Sequence, residues 1–282
     1  MKITRTIQKT REQIKLWKKD GYSIGFVPTM GYLHEGHQSL MKKSILENDK
    51  TVVSIFINPM QFDVADDLKN YPISPLEDME LCDESGVDLI FNPSADEVYH
   101  KDFFTYVDMH NITKELCGKN RPNHFRGVCT VVNKLFNIIT PDCAYFGEKD
   151  AQQLAVIKKM VKDLNMDLEI VGCPTVRESD GLAKSSRNAH LNPEERKAAT
   201  ILSKAIFEGR NLVESGERDV TKIVSAMKSI IDTEPLATID HIEIVDGESI
   251  QKIETIQGSV LGQGAIFIGK VRLIDNFMHT ID

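Results

Sequence analysis

The chain has 282 residues, of which 41% are hydrophobic and 27% charged, and its formal net charge is -8 with a pI near 5.6. A chain of this length can bury the core of one large domain or two moderate ones. Its acidic balance argues against a general nucleic-acid or anionic-membrane surface, because such surfaces depend on clustered Lys and Arg. Any anionic ligand must therefore be held by a local site.

The N-terminal segment carries charges throughout and has no apolar signal region. No stretch approaches the ~20 consecutive apolar residues of a membrane span. The five cysteines are odd in number and form no CxxC pair, which favours reduced, mostly buried thiols over disulfides or a zinc site. These features predict a cytoplasmic protein.

Short β-branched runs alternate with amphipathic stretches along the first part of the chain. The strand candidates are SIGFVP (23–28), TVVSIFI (51–57), VDLIFNP (87–93), CAYFG (143–147) and LEIVGCP (168–174). The helix candidates are residues 33–48, 74–86, 125–139 and 151–165. This alternation predicts an α/β fold with a doubly wound parallel sheet, in which ligands bind beyond the carboxyl ends of the strands.

The pattern changes after about residue 176. A helix is predicted over residues 192–216, with Asn192 as N-cap and Pro193 at the first helical position, and a second over residues 220–232. Two strand candidates follow, TIDHIEIVDG (238–247) and GAIFIGKVRLID (264–275). We expect a first domain of residues 1–176 and a smaller α+β domain of residues 177–282.

The stretch PTMGYLHEGH (28–37) leads from a predicted strand into a predicted helix. On the first turns of that helix, His34 and His37 share a face, and Gly36 leaves the face bare enough for a phosphate to approach. The helix N-terminus adds unpaired N–H groups and the positive end of a dipole. HxGH alone is a weak signal, and two surface histidines at a helix start are the alternative.

Two further segments favour a phosphate site. Residues 184–187 (KSSR) put two cations and two hydroxyls in one predicted loop, as a clamp on a triphosphate requires, although a solvated Ser-rich turn explains that segment taken alone. GEKD (147–150) directly follows a predicted strand. There Lys149 could reach phosphate oxygens, and Gly147 would let the backbone approach a nucleotide.

The segments PTMGYLHEGH, FINPMQF, HFRGV, YFGEKDAQQL and DGLAKSSRN, in this order, resemble the pantoate–β-alanine ligase family of nucleotidyltransferases. RLIDN (272–276) fits as well. The family shares HxGH and a Lys/Ser loop with class I aminoacyl-tRNA synthetases. The resemblance implies a Rossmann-like first domain, a C-terminal lid domain, a homodimer, and a ligase that converts ATP, pantoate and β-alanine into pantothenate, AMP and pyrophosphate.

The resemblance also implies roles for individual residues. His37 would be a proton donor, and His34, Lys149 and Arg187 would join it in stabilising charge on the phosphates. Gln61 would bind pantoate and β-alanine, and Gln153 would bind pantoate, because neutral amides read hydroxyls without repelling a phosphate. The implied ATP site comprises Met30, Gly31, Tyr32, Leu33, His34, Glu35, Gly36, His37, Gly147, Glu148, Lys149, Asp150, Val176, Lys184, Ser185, Ser186 and Arg187.

Magnesium should bridge the ATP phosphates, and Asp78 is the candidate ligand, although a helical carboxylate more often faces solvent. Ile73 stands where the family frequently has arginine, and Asn123 where it commonly has glycine, which leaves the turn before His124 open.

Two other functions are consistent with parts of the pattern. One is an adenylyltransferase that leaves the nucleotide on its product, and the other is a non-catalytic nucleotide- or tRNA-binding module. Gln61 and Gln153 favour a small hydroxy acid over a phosphorylated acceptor, and the acidic balance speaks against tRNA.

Overall fold

The structure is a computed structural model that describes residues 1–281. Packing contacts divide it into two compact units. The first comprises Met1–Met109, Arg121–Glu148 and Val156–Pro174, and the second comprises His110–Asn120, Lys149–Ala155 and the described residues from Thr175 onward. The second unit thus includes two segments that precede residue 177 in the chain.

The described residues form nine strands and eleven α-helices. The strands are β1 (Lys2–Thr4), β2 (Ile24–Thr29), β3 (Lys50–Ile55), β4 (Leu89–Phe91), β5 (Cys143–Gly147), β6 (Glu169–Cys173), β7 (Ala237–Asp246), β8 (Ser259–Ile268) and β9 (Val271–Thr280). The helices are α1 (Ile7–Lys19), α2 (Glu35–Glu47), α3 (Ala65–Lys69), α4 (Pro75–Ser85), α5 (Ala95–Val98), α6 (Cys117–Asn120), α7 (His124–Ile139), α8 (Ala151–Asp163), α9 (Pro193–Ala198), α10 (Thr200–Glu214) and α11 (Val220–Ile231).

The first unit contains a six-stranded parallel sheet in the order β1-β4-β3-β2-β5-β6. Side chains alternate between its two faces, and both faces are covered by helices because the connections between parallel strands are helical. Phe26 of β2 packs edge-on against Phe136 of α7, with ring centroids 6.4 Å apart. Its neighbour Val27 belongs to a buried cluster with Met41 of α2 and Cys82 of α4. The predicted doubly wound parallel sheet is confirmed.

The N-terminal strand and helix were not predicted. β1 is only three residues long and lies at the sheet edge beside β4. α1 buries only Thr10 and Ile14 among charged neighbours. The segment is strongly charged, so it offers few apolar positions on which a helix prediction can be based.

The second unit contains an antiparallel sheet in the order β7-β8-β9, whose core includes residues of α10 and α11. Asn192 caps α9 and Pro193 occupies its first turn, as predicted. One prediction was wrong: residues 264–275 are not a single strand. The chain reverses at Gly269, whose φ of 56° is left-handed, so this run supplies parts of two paired strands.

All five cysteines are free thiols, and four of them are buried. Burial raises the pKa of both Cys82 and Cys129 to about 12, which makes these thiols poor nucleophiles. Among residues 1–281, none of the helices combines the length and apolar character that crossing a bilayer requires.

Gly127 provides a test of how α7 positions the short 3₁₀ turn Pro59–Gln61. A Cβ atom on Gly127 would overlap the Met60 carbonyl oxygen and lie 2.6 Å from the Gln61 nitrogen. Since backbone atoms must then move, we expect Gly127→Ala to lower the free energy of unfolding by about 1–3 kcal/mol, despite the better helix propensity of Ala. Urea unfolding measures this. Gly258→Ala is the control, because no atom lies within 4 Å of its added Cβ, and equal effects of the two substitutions would refute the packing argument.

Candidate active site

The order of the sheet determines where the site lies. β2 pairs with β3 on one side and with β5 on the other. The chain adds β3 and β4 on one side of β2 and then β5 and β6 on the other, so the strand order reverses between β2 and β5. The loops that leave the carboxyl ends of such strands form the binding crevice of open α/β sheets. The loop after β2 carries HxGH, and the chain after β5 begins with Gly147 and Glu148.

His34 and His37 cap the N-terminus of α2. His34 is the N-cap residue, and its Nδ1 accepts a hydrogen bond of 3.1 Å from the Gly36 N–H. In return, Nδ1 of His37 accepts one of 3.2 Å from the His34 N–H. The two rings lie 4.2 Å apart between centroids. Because both Nδ1 atoms are acceptors, the neutral rings carry their protons on Nε2, the nitrogen that can donate to phosphate oxygens.

The role of Gly36 differs from the sequence-based interpretation. A Cβ atom at this position would lie 2.8 Å from Cε1 and 2.9 Å from Nδ1 of His34. The missing side chain therefore makes room for the His34 imidazole itself, in addition to leaving the helix start open.

Asp78 of α4 holds the loop between β2 and α2. Its Oδ2 accepts from the Tyr32 N–H at 3.0 Å, and its Oδ1 accepts from the Leu33 N–H at 2.6 Å. The loop needs this support, since Gly31 and Tyr32 both have left-handed backbones, with φ of 87° and 51°. Asp78 is only 3% exposed, and burial raises the pKa of its carboxyl group although the two backbone hydrogen bonds lower it.

These contacts account for Asp78 without a metal ion. Among residues 1–281, no group of three or more His, Cys, Asp or Glu side chains is arranged to hold a metal. A magnesium role for Asp78 stays a prediction.

Gln61 is buried, 8% exposed, at the end of the 3₁₀ turn after β3. Its Oε1 accepts from Asn58 Nδ2 at 2.9 Å, and its Nε2 donates to the Met30 sulfur at 3.0 Å. Thioether sulfur is a weak acceptor. The Gln61 amide thus holds a defined orientation, yet a ligand hydroxyl can replace the sulfur at little cost.

Asn58 and Tyr99 are positioning residues that the sequence did not reveal. Asn58 caps the 3₁₀ turn, and its Nδ2 also donates to the Gly127 carbonyl at 3.1 Å. Its Oδ1 accepts from the Tyr99 hydroxyl at 2.8 Å. Asn followed by Pro is a local signal for a turn start, but nothing local indicates the partners on α7 and beyond α5.

The sequence differences from the family pattern have local explanations. Ile73 is 67% exposed and lines a pocket with Met30, Asp78 and Asn92. An isoleucine side chain at this position makes its part of the pocket wall apolar, where arginine would be cationic. Asn123 precedes α7 with an ordinary right-handed φ of -98°, which no glycine is needed to adopt. Its N–H donates to Asp63 at 3.2 Å.

The second unit contains the remaining predicted residues. Lys149 lies in the 3₁₀ turn Glu148–Asp150, with its Nζ 3.8 Å from the Asp150 carboxylate. Gln153 is half-buried on the first turn of α8, while its neighbour Gln152 is buried and donates to the carbonyls of Ile112 and Glu115. Of the two glutamines, Gln153 is the one with surface available to a ligand.

Residues 184–187 follow a short hairpin. The Lys184 N–H donates to the Val176 carbonyl at 2.9 Å, and the Lys184 ammonium lies 3.2 Å from the Glu178 carboxylate. Ser185 caps the 3₁₀ turn Ser186–His190 and accepts from the Arg187 N–H at 3.3 Å. A phosphate that binds Lys184 must compete with Glu178.

A sequence model of the pantoate-beta-alanine ligase family matches residues 2–278. The chain belongs to this family. Proteins named pantothenate synthetase from Ruminiclostridium cellulolyticum and Clostridium botulinum are 57% and 54% identical to it, each over 100% of both chains. The resemblance found in the motifs and the predicted ligase activity are thereby confirmed.

Solved structures agree with the fold. Pantothenate synthetase from Thermus thermophilus is 40% identical, with a TM-score of 0.92 over 98% of this chain and 99% of that one. A pantoate-beta-alanine ligase from Francisella tularensis, complexed with beta-gamma ATP and β-alanine, is 35% identical, with a TM-score of 0.80 over 99% of this chain and 97% of that one.

Asp78→Asn tests whether this family member uses the residue to position the HxGH loop. An amide at this position would oppose one of the two backbone N–H groups with its own NH₂, leaving a buried donor unpaired at a cost of ~1–3 kcal/mol. We expect kcat to fall roughly tenfold or more, while the magnesium concentration for half-maximal rate stays unchanged. Glu80→Gln, at an exposed position of the same helix, is the control. A raised magnesium requirement in Asp78→Asn would instead identify a metal ligand.

Proposed function

We propose that the protein condenses pantoate with β-alanine through a pantoyl adenylate, releasing pyrophosphate in the first step and AMP in the second. The observation that carries the proposal is the histidine-capped helix after β2 in a chain of this ligase family. The Francisella tularensis relative, complexed with beta-gamma ATP and β-alanine, supports ATP and β-alanine as substrates here.

The first step activates the acid. A carboxylate is a poor acylating agent at neutral pH, so a pantoate carboxylate oxygen attacks the α-phosphorus of ATP and pyrophosphate leaves. The Nε2–H groups of His34 and His37 donate to phosphate oxygens, with His37 as the proton donor. Lys149, Lys184 and Arg187 stabilise the charge that accumulates on the leaving pyrophosphate.

Gln61 and Gln153 recognise pantoate in this proposal. The Gln61 Nε2 exchanges the Met30 sulfur for an oxygen of pantoate, which is a better acceptor. Neutral amides add no negative charge that would repel the α-phosphate. Gln61 also contacts β-alanine in the second step, when the neutral amine attacks the pantoyl carbonyl carbon and AMP leaves.

Asp78 stays the candidate ligand for magnesium, a hard cation that would supply neutralisation of charge on the ATP phosphates. A homodimer, a cytoplasmic location and a lid role for residues 177–282 stay predictions. An adenylyltransferase would keep AMP on its product, so AMP release that depends on both pantoate and β-alanine separates the two functions.

Substitutions at His37 test the histidine pair. His37→Ala should slow adenylate formation by roughly 10²-fold, the scale for loss of a positioned proton donor or charge stabiliser. His37→Gln is the matched variant, because glutamine at this third helical position can rebuild the cap on the His34 N–H without an imidazole. Single-turnover rates that fall equally in both variants support a chemical role. Recovery of the rate in His37→Gln would show that the residue only caps the helix.

The two-step route predicts exchange of labelled pyrophosphate into ATP when pantoate and magnesium are present and β-alanine is absent. Exchange requires a reversible first step. Arg187→Ala should lower the exchange rate, because Arg187 is proposed to stabilise the charge that accumulates on the leaving pyrophosphate. If exchange appears only after β-alanine is added, the adenylate route is wrong for this protein, and a concerted or acyl-phosphate route must replace it.

A further inference from the structure

Two consecutive residues of β9 have polar contacts that the proposed reaction does not use. Asp275 and Asn276 are 2% and 8% exposed, on a strand whose flanking Leu273 and Phe277 belong to the apolar core of the second unit. Neighbouring residues on a strand point to opposite faces, so the pair contacts two different segments. Burial of two polar side chains requires partners that compensate their lost hydration.

Asn276 binds the segment that carries Lys149. Its Nδ2 donates to the Lys149 carbonyl at 2.7 Å, across 127 positions in the sequence. That carbonyl lies in the 3₁₀ turn between β5 and α8, where no regular ladder fixes the backbone. The hydrogen bond therefore gives the turn, and with it the base of the Lys149 side chain, a tertiary anchor.

Asp275 binds the segment that leads to residues 184–187. Its two carboxylate oxygens accept from Arg177 Nη1 and Nη2 at 2.6 and 2.9 Å, a bidentate pair. Arg177 also donates to the Gly181 carbonyl at 3.0 Å, and it pairs with Ala183 across the hairpin. Lys184 directly follows this hairpin.

We propose that Asp275 and Asn276 are positioning residues. From one strand, β9, they hold the turn that carries Lys149 and the hairpin that leads to Lys184. The Asp275 Oδ1 also accepts from the Asn276 N–H at 2.8 Å, which couples the two anchors. Consecutive Cα atoms are about 3.8 Å apart, so the anchors of two segments that are distant in sequence, at Lys149 and Arg177, have a fixed spacing. Such preorganisation places the cations before charge develops on a phosphate. The inference rests on the phosphate role proposed for Lys149, Lys184 and Arg187.

The test is a double-mutant cycle on pyrophosphate exchange with Asn276→Ala, Lys149→Ala and the double variant. If Asn276 acts through Lys149, Asn276→Ala slows exchange roughly tenfold, and the double variant is no slower than Lys149→Ala, because nothing is left to misplace. A merely structural role would multiply the two effects. Met278→Ala, at a half-exposed position of the same strand, is the control and should exchange as the unaltered protein does.

Thermal unfolding shows whether each variant is folded. If Asn276→Ala does not fold, Asn276→Asp keeps the side-chain shape but has no N–H donor, and it replaces Ala in the cycle. Multiplicative effects, or unchanged exchange in Asn276→Ala while Lys149→Ala is slow, overturn the positioning role. Unchanged exchange in Lys149→Ala overturns the proposed phosphate role of Lys149 instead, so the two failures are distinguishable.

Discussion

The candidate site in the loop after β2 depends on the central position of that strand, which is paired on both edges and buried on both faces. Its partners β3 and β5 fix its direction, and its side chains enter the cores on either side of the sheet. The chain must then leave the strand, turn sharply and start α2 within five residues. That turn is made by Gly31 and Tyr32 in left-handed conformations. For tyrosine this backbone costs about 1–3 kcal/mol.

The Asp78 carboxylate offsets that cost. It accepts two hydrogen bonds from the loop, and hydrogen bonds to charged groups contribute about 1.5–3 kcal/mol each. These two bonds oppose the strain of the tyrosine, although burial of the carboxylate acts against them and is the larger influence on its pKa, which is raised. The start of α2, and hence the orientation of both histidines, therefore follows from one side chain on another helix.

The difference between local and distant contacts explains what the sequence could predict. The strands β2 to β6 and the longer helices between them, α2, α4, α7 and α8, are predicted because their apolar patterns are local, whereas the short helices α3, α5 and α6 are not predicted. The β8–β9 hairpin was missed because Gly269 and Lys270 lie inside an otherwise continuous β-branched run. The motifs name the residues of the candidate site, but Asp78 is predicted as a magnesium ligand and not as the residue that holds the loop, and Asn276 of RLIDN is given no role. Their partners lie 45 and 127 positions away, beyond the reach of any local pattern.

The side chains proposed to bind ligand differ in charge between the two units. In the first unit the proposed donors are neutral groups, the imidazoles of His34 and His37 and the amide of Gln61. The histidine cap persists only while both Nδ1 atoms lack protons, because a protonated Nδ1 would face a backbone N–H. Neutral donors can orient a carboxylate beside a phosphate without binding either anion too tightly. The cations Lys149 and Lys184 belong to the second unit, and each lies near a carboxylate, Asp150 or Glu178. In the proposed reaction, a phosphate that bound either lysine would compete with that carboxylate, and a multiply charged triphosphate would do so better than a singly charged acid.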